Sequence, residues 1–414
     1  MSSYTSDDVD ISAPNDISFE TNLFSVNFHP TEDLVVVSDA EGRVKLYRYG
    51  LEQNENLLSL RPHTSGCREA CFSTDGKYIF TASSDRSLKV IDVHTGATMY
   101  TREEAHDDPI NSLISKEFMV FTGDDEGRVK VWDMRQQSIV CEFQEHADYI
   151  SDIITMDDRH VVATSGDGGL SIYNFVRRSL DDISEKSDNE LLSVVALEKD
   201  STLVCGTQDG TILIYDSQNL EKPKKFVGHP QSVDSLVKVS ENTFLSGSSD
   251  GIIRYVGTKP RKLLGVIGEH SNFPVERIAI TRDNKYLGSI SHDLSLKFWN
   301  VVNLYEDVDD SDAEEQAEEE EMEDSDEIDG EEQVDEELSD DSDDMMDDSD
   351  DDINNNNNNN DDDSDDDDDD TSSDEDIKKK KQYKSKAAKK KEAKKAWTNL
   401  PNKESKKTTR RKNF

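Results

Sequence analysis

Four cysteines in 414 residues are too few to build a disulfide framework. Cys67 and Cys71 form a C-x-x-x-C, but no second Cys or His pair stands nearby at zinc spacing, so both are expected as buried strand thiols. Long hydrophobic runs are also missing. Stretches such as residues 34–37 are typical, far below the roughly 18–20 apolar residues a membrane span requires. The first fifteen residues are polar and acidic, with neither a positive n-region nor an apolar h-region, so an intracellular protein is expected. There is no G-x-x-x-x-G-K phosphate loop, metal constellation or nucleophile elbow, and the run from Gly166 to Gly169 reads as a hairpin turn. No enzyme, cofactor or metal is expected.

Basic residues are absent from one long stretch. Residues 306–376 hold 42 Asp and Glu with no Lys or Arg, whereas 377–414 hold 17 Lys and Arg against Glu392 and Glu404. Residues 1–305 carry 48 acids and 30 bases, a net of −18. The charge pattern therefore separates one body, long enough for a substantial core, from a tail of two oppositely charged blocks.

Within the body a pattern recurs: an acid, a turn residue, four positions, then usually an aromatic. It appears as Glu41-Gly42 to Tyr47, Glu126-Gly127 to Trp132, Asp167-Gly168 to Tyr173, Asp209-Gly210 to Tyr215 and Asp293-Leu294 to Trp299. Degenerate copies run from Asp85-Arg86 to Ile91 and from Asp250-Gly251 to Val256. The turn positions 42, 86, 127, 168, 210, 251 and 294 lie 41 to 44 residues apart. Acid-Gly supplies the positive φ of a tight hairpin, and alternating residues such as Val129 and Val131 then face a core. Upstream of most turns stands a histidine: His63, His106, His146, His229 or His270. Two residues before the acid there is often a hydroxyl (Ser83, Ser165, Thr207, Ser248, Ser291), with an Asp turn in between at Asp75, Asp200 and Asp283. Units of this length with Gly-His and Trp-Asp signatures mark a WD-repeat β-propeller. Seven turns predict seven blades and an all-β fold.

Histidines so repeated are expected in structural His–Asp–Ser/Thr–Trp hydrogen-bond chains, with His63, His146, His229, His270, Trp132 and Trp299 as blade residues rather than a catalytic group. After Trp299 only six residues precede the acidic block, so the last blade lacks its outer strand. Residues 9–19, with Ile11, Ile17 and Phe19, are expected to supply it, leaving no open sheet edge. The domain plan is thus 1–19 as a ring-closing segment, 20–305 as the propeller, 306–376 as an acidic tract and 377–414 as a basic tail. The polar stretch 177–189 reads as an exposed loop, either a partner contact or a tolerated insertion.

The stretches CREACFSTDGKYIFTASSDRSLKVIDVHTG (67–96), FTGDDEGRVKVWDMR (121–135), GSSDGIIRYV (247–256) and SHDLSLKFWN (291–300) resemble the WD repeat-containing protein 55 family, in register and over about residues 20–305. The acidic block and lysine-rich end look like the fungal branch of that family. The resemblance implies a nucleolar scaffold in ribosome biogenesis, acting in rRNA maturation and large-subunit assembly, with assembly proteins and pre-ribosomal particles as partners and the nucleus as its compartment. This chain departs from a strict WD repeat at Ile91 and Val256, where blades 2 and 6 are expected to be less rigid.

The tract 306–376 has too little apolar surface to offset ordering entropy and is expected to be disordered. Its acid-flanked serines (Ser325, Ser339, Ser342, Ser349, Ser364, Ser373) resemble casein-kinase substrates, and the tract reads equally as regulated or merely solubilising. Lys378, Lys379, Lys380 and Lys381, then Lys389, Lys390, Lys391, Lys394 and Lys395, suit a nuclear import signal. The same lysines can also neutralise RNA phosphates, with Trp397 stacking on a base. Two further functions stay open. An acidic WD protein can bind histones, and Trp132-Asp133-Met134-Arg135 matches the WD-x-R pattern of propellers that dock on a cullin-RING ligase adaptor, through Trp132, Asp133 and above all Arg135. A closed ring with a self-repelling tail predicts a monomer and no membrane contact.

Overall fold

The computed structural model describes residues 12–305. They form seven four-stranded antiparallel sheets arranged as the blades of a propeller. Blades 1 to 6 occupy residues 23–60, 67–102, 110–143, 150–183, 191–227 and 233–269, each running in chain order from inner to outer strand. Blade 7 has three strands in order (Val275–Ile280, Tyr286–Ser291 and Ser295–Asn300), and its outer strand is the short Ile17–Ser18 from the other end of the domain.

The hairpin that opens each third strand turns on a left-handed residue, with φ between 79° and 86° at Gly42, Gly127, Gly168, Gly210 and Gly251. At Gly127 a Cβ would stand 2.6 Å from the His146 carbonyl oxygen, so a side chain is excluded there as well as disfavoured by φ. Arg86 and Leu294 adopt the same conformation without being glycine.

Apolar side chains pack between blades. Each of the seven core clusters joins residues of two neighbouring sheets: Phe80 and Val90 of blade 2 meet Ile110, Val120 and Trp132 of blade 3. The seam between the first and last blades is sealed by Ile17, Phe19, Phe28, Tyr49, Ile290 and Phe298. There Ile17 pairs with Leu296, Ser18 with Ser295, and Phe19 N donates to Leu294 O at 2.8 Å. The closing role expected of residues 9–19 therefore falls on a two-residue ladder and two buried side chains; Ile11 lies outside the described residues.

One expectation is corrected. Residues 177–189 are not a loop throughout: Ser179–Ile183 is the outer strand of blade 4, paired with Leu170–Asn174. An outer strand covers only one face, so its polar composition hid it. The connection that follows is tied down by Lys186 on Asp167 at 2.8 Å and by Ser187 N on Gly168 O at 2.9 Å.

Candidate interaction surfaces

The histidines are built into the blades. In blade 3, Trp132 Nε1 donates to Thr122 Oγ1 at 2.9 Å. The Thr122 hydroxyl lies 2.7 Å from His106 Nε2, and His106 Nδ1 lies 2.8 Å from Asp124 Oδ2. The chain polarises one way, indole to hydroxyl to imidazole to carboxylate, with the proton assigned to Nδ1 by its acidic neighbour. Blade 7 repeats it with Trp299, Ser289, His270 and Asp293, at 2.7, 2.7 and 2.8 Å. Burial pushes the imidazoles of His106 and His270 below the usual range, so they stay neutral.

The sequence pattern named the wrong hydroxyls and acids for this chain. Thr81, Ser246 and Ser289 contact the histidines, two residues before Ser83, Ser248 and Ser291. Ser83 and Ser165 instead accept the Asp85 and Asp167 amides and cap the hairpin turn. The acids are those of the hairpin (Asp85, Asp167, Asp293), while Asp75 and Asp283 bind serine, threonine and lysine within their own turns.

Blade 6 breaks the pattern. Arg254 takes Asp250 through two bonds of 3.0 and 2.5 Å, leaving His229 with only Ser246. Its Nδ1 is buried without a partner, and burial, reinforced by Arg254, lowers its pKa to about 4. In blade 2, where Ile91 replaces the aromatic, His63 keeps three partners, Asp85, Ser87 and Thr81. The two degenerate blades therefore differ: the polar chain of blade 2 survives, and that of blade 6 does not.

The WD-x-R motif has a defined setting. Trp132 is buried, whereas the Arg135 side chain is 59% exposed. Asp133 grips Arg135 with both oxygens, at 3.0 and 2.7 Å, and the guanidinium holds that carboxyl down at about 2. Arg135 also lies 4.8 Å over the Phe118 ring. Both residues line a groove of about 720 Å³ between blades 2 and 3, walled by Tyr78, Phe80, Met99 and Met134. Met99 and Phe118 are more than half exposed, and the sequence reading missed them; an apolar residue in the polar strand TMYTR was the available signal.

A second feature could not be read beforehand. All seven inner strands carry a bulge at the same position, and the residues just past it are Ser25, Glu69, Ser112, Asp152, Ser193, Ser235 and Arg277. Several link one blade to the next, as when Ala70 N donates to Ser25 Oγ and Ile278 N to Ser235 Oγ. Arg277 of blade 7 instead reaches across the ring, to Glu69 of blade 2 at 3.0 Å and Asp152 of blade 4 at 3.4 Å. Burial raises the Glu69 carboxyl to about 7 despite Arg277, and raises Asp152 also.

Lys378 to Lys381, Lys389 to Lys391, Lys394, Lys395 and the six acid-flanked serines lie outside the described residues. Among the described residues no group of three or more His, Cys, Asp or Glu could hold a metal. Cys67, Cys71 and Cys205 are buried free thiols, with Cys71 raised to about 12 by burial.

Seven closed blades, repeated turn residues and His–Asp–hydroxyl–Trp chains define a WD-repeat propeller. The chain belongs to the WDR55 family, whose profile matches residues 14–304. It is 75% identical over 295 residues to the WD repeat-containing protein 55 homolog of Dictyostelium discoideum, covering 71% of this chain and 72% of that protein. It is 40% identical over 298 residues to WD repeat-containing protein 55 of Arabidopsis thaliana, covering 70% and 84%. It is 34% identical over 315 residues to WD repeat-containing protein JIP5 of the fungus Coprinopsis cinerea, covering 72% and 77%. None of these names is that of an enzyme.

Proposed function

We propose that the chain is a non-catalytic nucleolar scaffold of ribosome biogenesis, holding assembly proteins of the large-subunit precursor on its propeller. The observation that carries this reading is WDR55 membership over the whole ring. The chemistry is consistent with it: the recurrent histidines are committed to the blades, which leaves surfaces rather than reactive groups to act. The tail's lysines supply import and a non-specific hold on rRNA. The test is sedimentation of the tagged protein from nuclear extract with RNA crosslinking. Co-migration with large-subunit precursors and crosslinks to pre-rRNA support the scaffold. Sedimentation free of pre-ribosomes, with core histones recovered instead, refutes it in favour of chromatin.

A second reading rests on Arg135, which is exposed at the rim of an apolar groove as an anchor for a ligase adaptor would be. Arg135→Ala should abolish adaptor co-purification while lowering the melting temperature by only a few degrees, because the arginine half of its pair with the buried Asp133 is open to water and such a pair contributes about 1–2 kcal/mol. Retained adaptor refutes it.

A further inference from the structure

The ring's net negative charge conceals one cationic groove. It lies between blades 5 and 6, encloses about 460 Å³, and is lined by four cations (Lys222, Lys224, Lys259 and Arg261) against two acids, Glu198 and Asp216. Lys222 and Lys224 stand on the outer strand Asn219–Val227, where alternation puts both on one face; Arg261 begins the outer strand Arg261–Glu269. All four are exposed, as are Lys225 and Lys262 beside them. Of these six, Lys259 alone has an ion-pair partner among the described residues, Glu198 at 2.9 Å.

The acidic tract follows residues that pack on blade 6, one of the two blades that form the groove. After the last strand the chain folds back at the foot of the seam between blades 6 and 7, where Leu304 and Tyr305 pack with Val239, Tyr255 and Ile267. Tyr255 and Ile267 belong to blade 6, the blade that provides Lys259 and Arg261. From Glu306 to Gly330 the sequence carries 16 Asp and Glu and no Lys or Arg. Twenty-five residues span at most about 80 Å, against roughly 10 Å between packed sheets, so reach is no obstacle.

We propose that residues 306–330 of the same chain dock over the cationic groove of blades 5 and 6. Two things favour this occupant over a free polyanion. The charges are complementary, and tethering one blade away sets an effective concentration in the millimolar range.

Amine-reactive footprinting of the full chain at low salt tests it, with Lys77 and Lys285, which lie elsewhere on the ring, as references. Raising the salt to about 0.5 M, or deleting only residues 306–330, should increase labelling of Lys222, Lys224 and Lys262 about threefold while the references stay level. Equal labelling in all three conditions overturns the proposal. So does protection of these lysines by an added uridine oligonucleotide in the full chain at physiological salt, since the groove would then be an open RNA face.

Discussion

Replacing Glu69 with Gln should stabilise the ring progressively as pH rises from 5 to 8. Glu69 sits across the ring from Arg277, with its side chain 11% exposed and Asp152 as the third partner. Burial outweighs the arginine, and its folded pKa is raised from 4.5 to about 7. A raised carboxyl pKa means the folded protein holds a proton that the unfolded chain has released. Stability from this group is therefore fully present below about 4.5, falls through the interval, and is lost above about 7. The loss is at most about 3 kcal/mol at 1.36 kcal/mol per pH unit, and less in so far as the residual exposure lets water reach the carboxylate. Glutamine keeps an oxygen for Arg277 but cannot ionise. Urea denaturation of wild type and Glu69→Gln at pH 5, 6, 7 and 8 gives the difference directly, with the tail's repulsion common to both. The variant should gain relative to wild type by up to about 3 kcal/mol between the extremes. A difference that does not change with pH refutes the argument, because Glu69 would then ionise alike in both states.

Three other outcomes follow from the geometry. Deleting residues 1–20 removes the burial of Ile17 and Phe19 and should cost about 3–6 kcal/mol, lowering the melting temperature by many degrees; an unchanged melt sinks the closure. Leu294→Gly relieves a left-handed leucine at φ 62° and should raise stability by about 1 kcal/mol in chemical denaturation. A drop would mean that its side-chain packing matters more. His270→Leu strips partners from Asp293 and Ser289, whereas His229→Leu takes a partner only from Ser246, which keeps the Arg254 carbonyl at 3.5 Å. The first should therefore cost about 2 kcal/mol more than the second in thermal unfolding, and equal costs would show that the imidazole of blade 6 matters as much as that of blade 7.

The blade count was legible because each third strand needs a left-handed turn, and an acid followed by a turn residue, glycine in five of the seven, recurs wherever one falls. Closure was legible because the last blade had sequence for only three strands and one apolar segment remained unused. The hydroxyls were misassigned for a simple reason. Thr81 and Ser83, like Ser289 and Ser291, lie two apart on one face of a strand, and periodicity cannot tell them apart. The Glu69–Arg277–Asp152 contact was beyond reach, since its members are separated by 208 and 125 residues and each follows a bulge that shifts the register. The Phe118 and Met99 groove depends on how two blades splay apart, which neither blade's sequence records.

The two-residue strand at Ile17 and Ser18 also sets a timetable. It is synthesised before its partner Leu296, which comes 279 residues later. At roughly 5–20 residues per second the ribosome takes about 15–60 s to bridge that gap. Six blades can be complete while the seventh is still missing, and for that interval Ile17 and Phe19 are apolar residues with no seam to enter. A chaperone that guards this nascent protein should therefore be found holding the segment around Ile17 and Phe19, and should leave once Asn300 has cleared the exit tunnel.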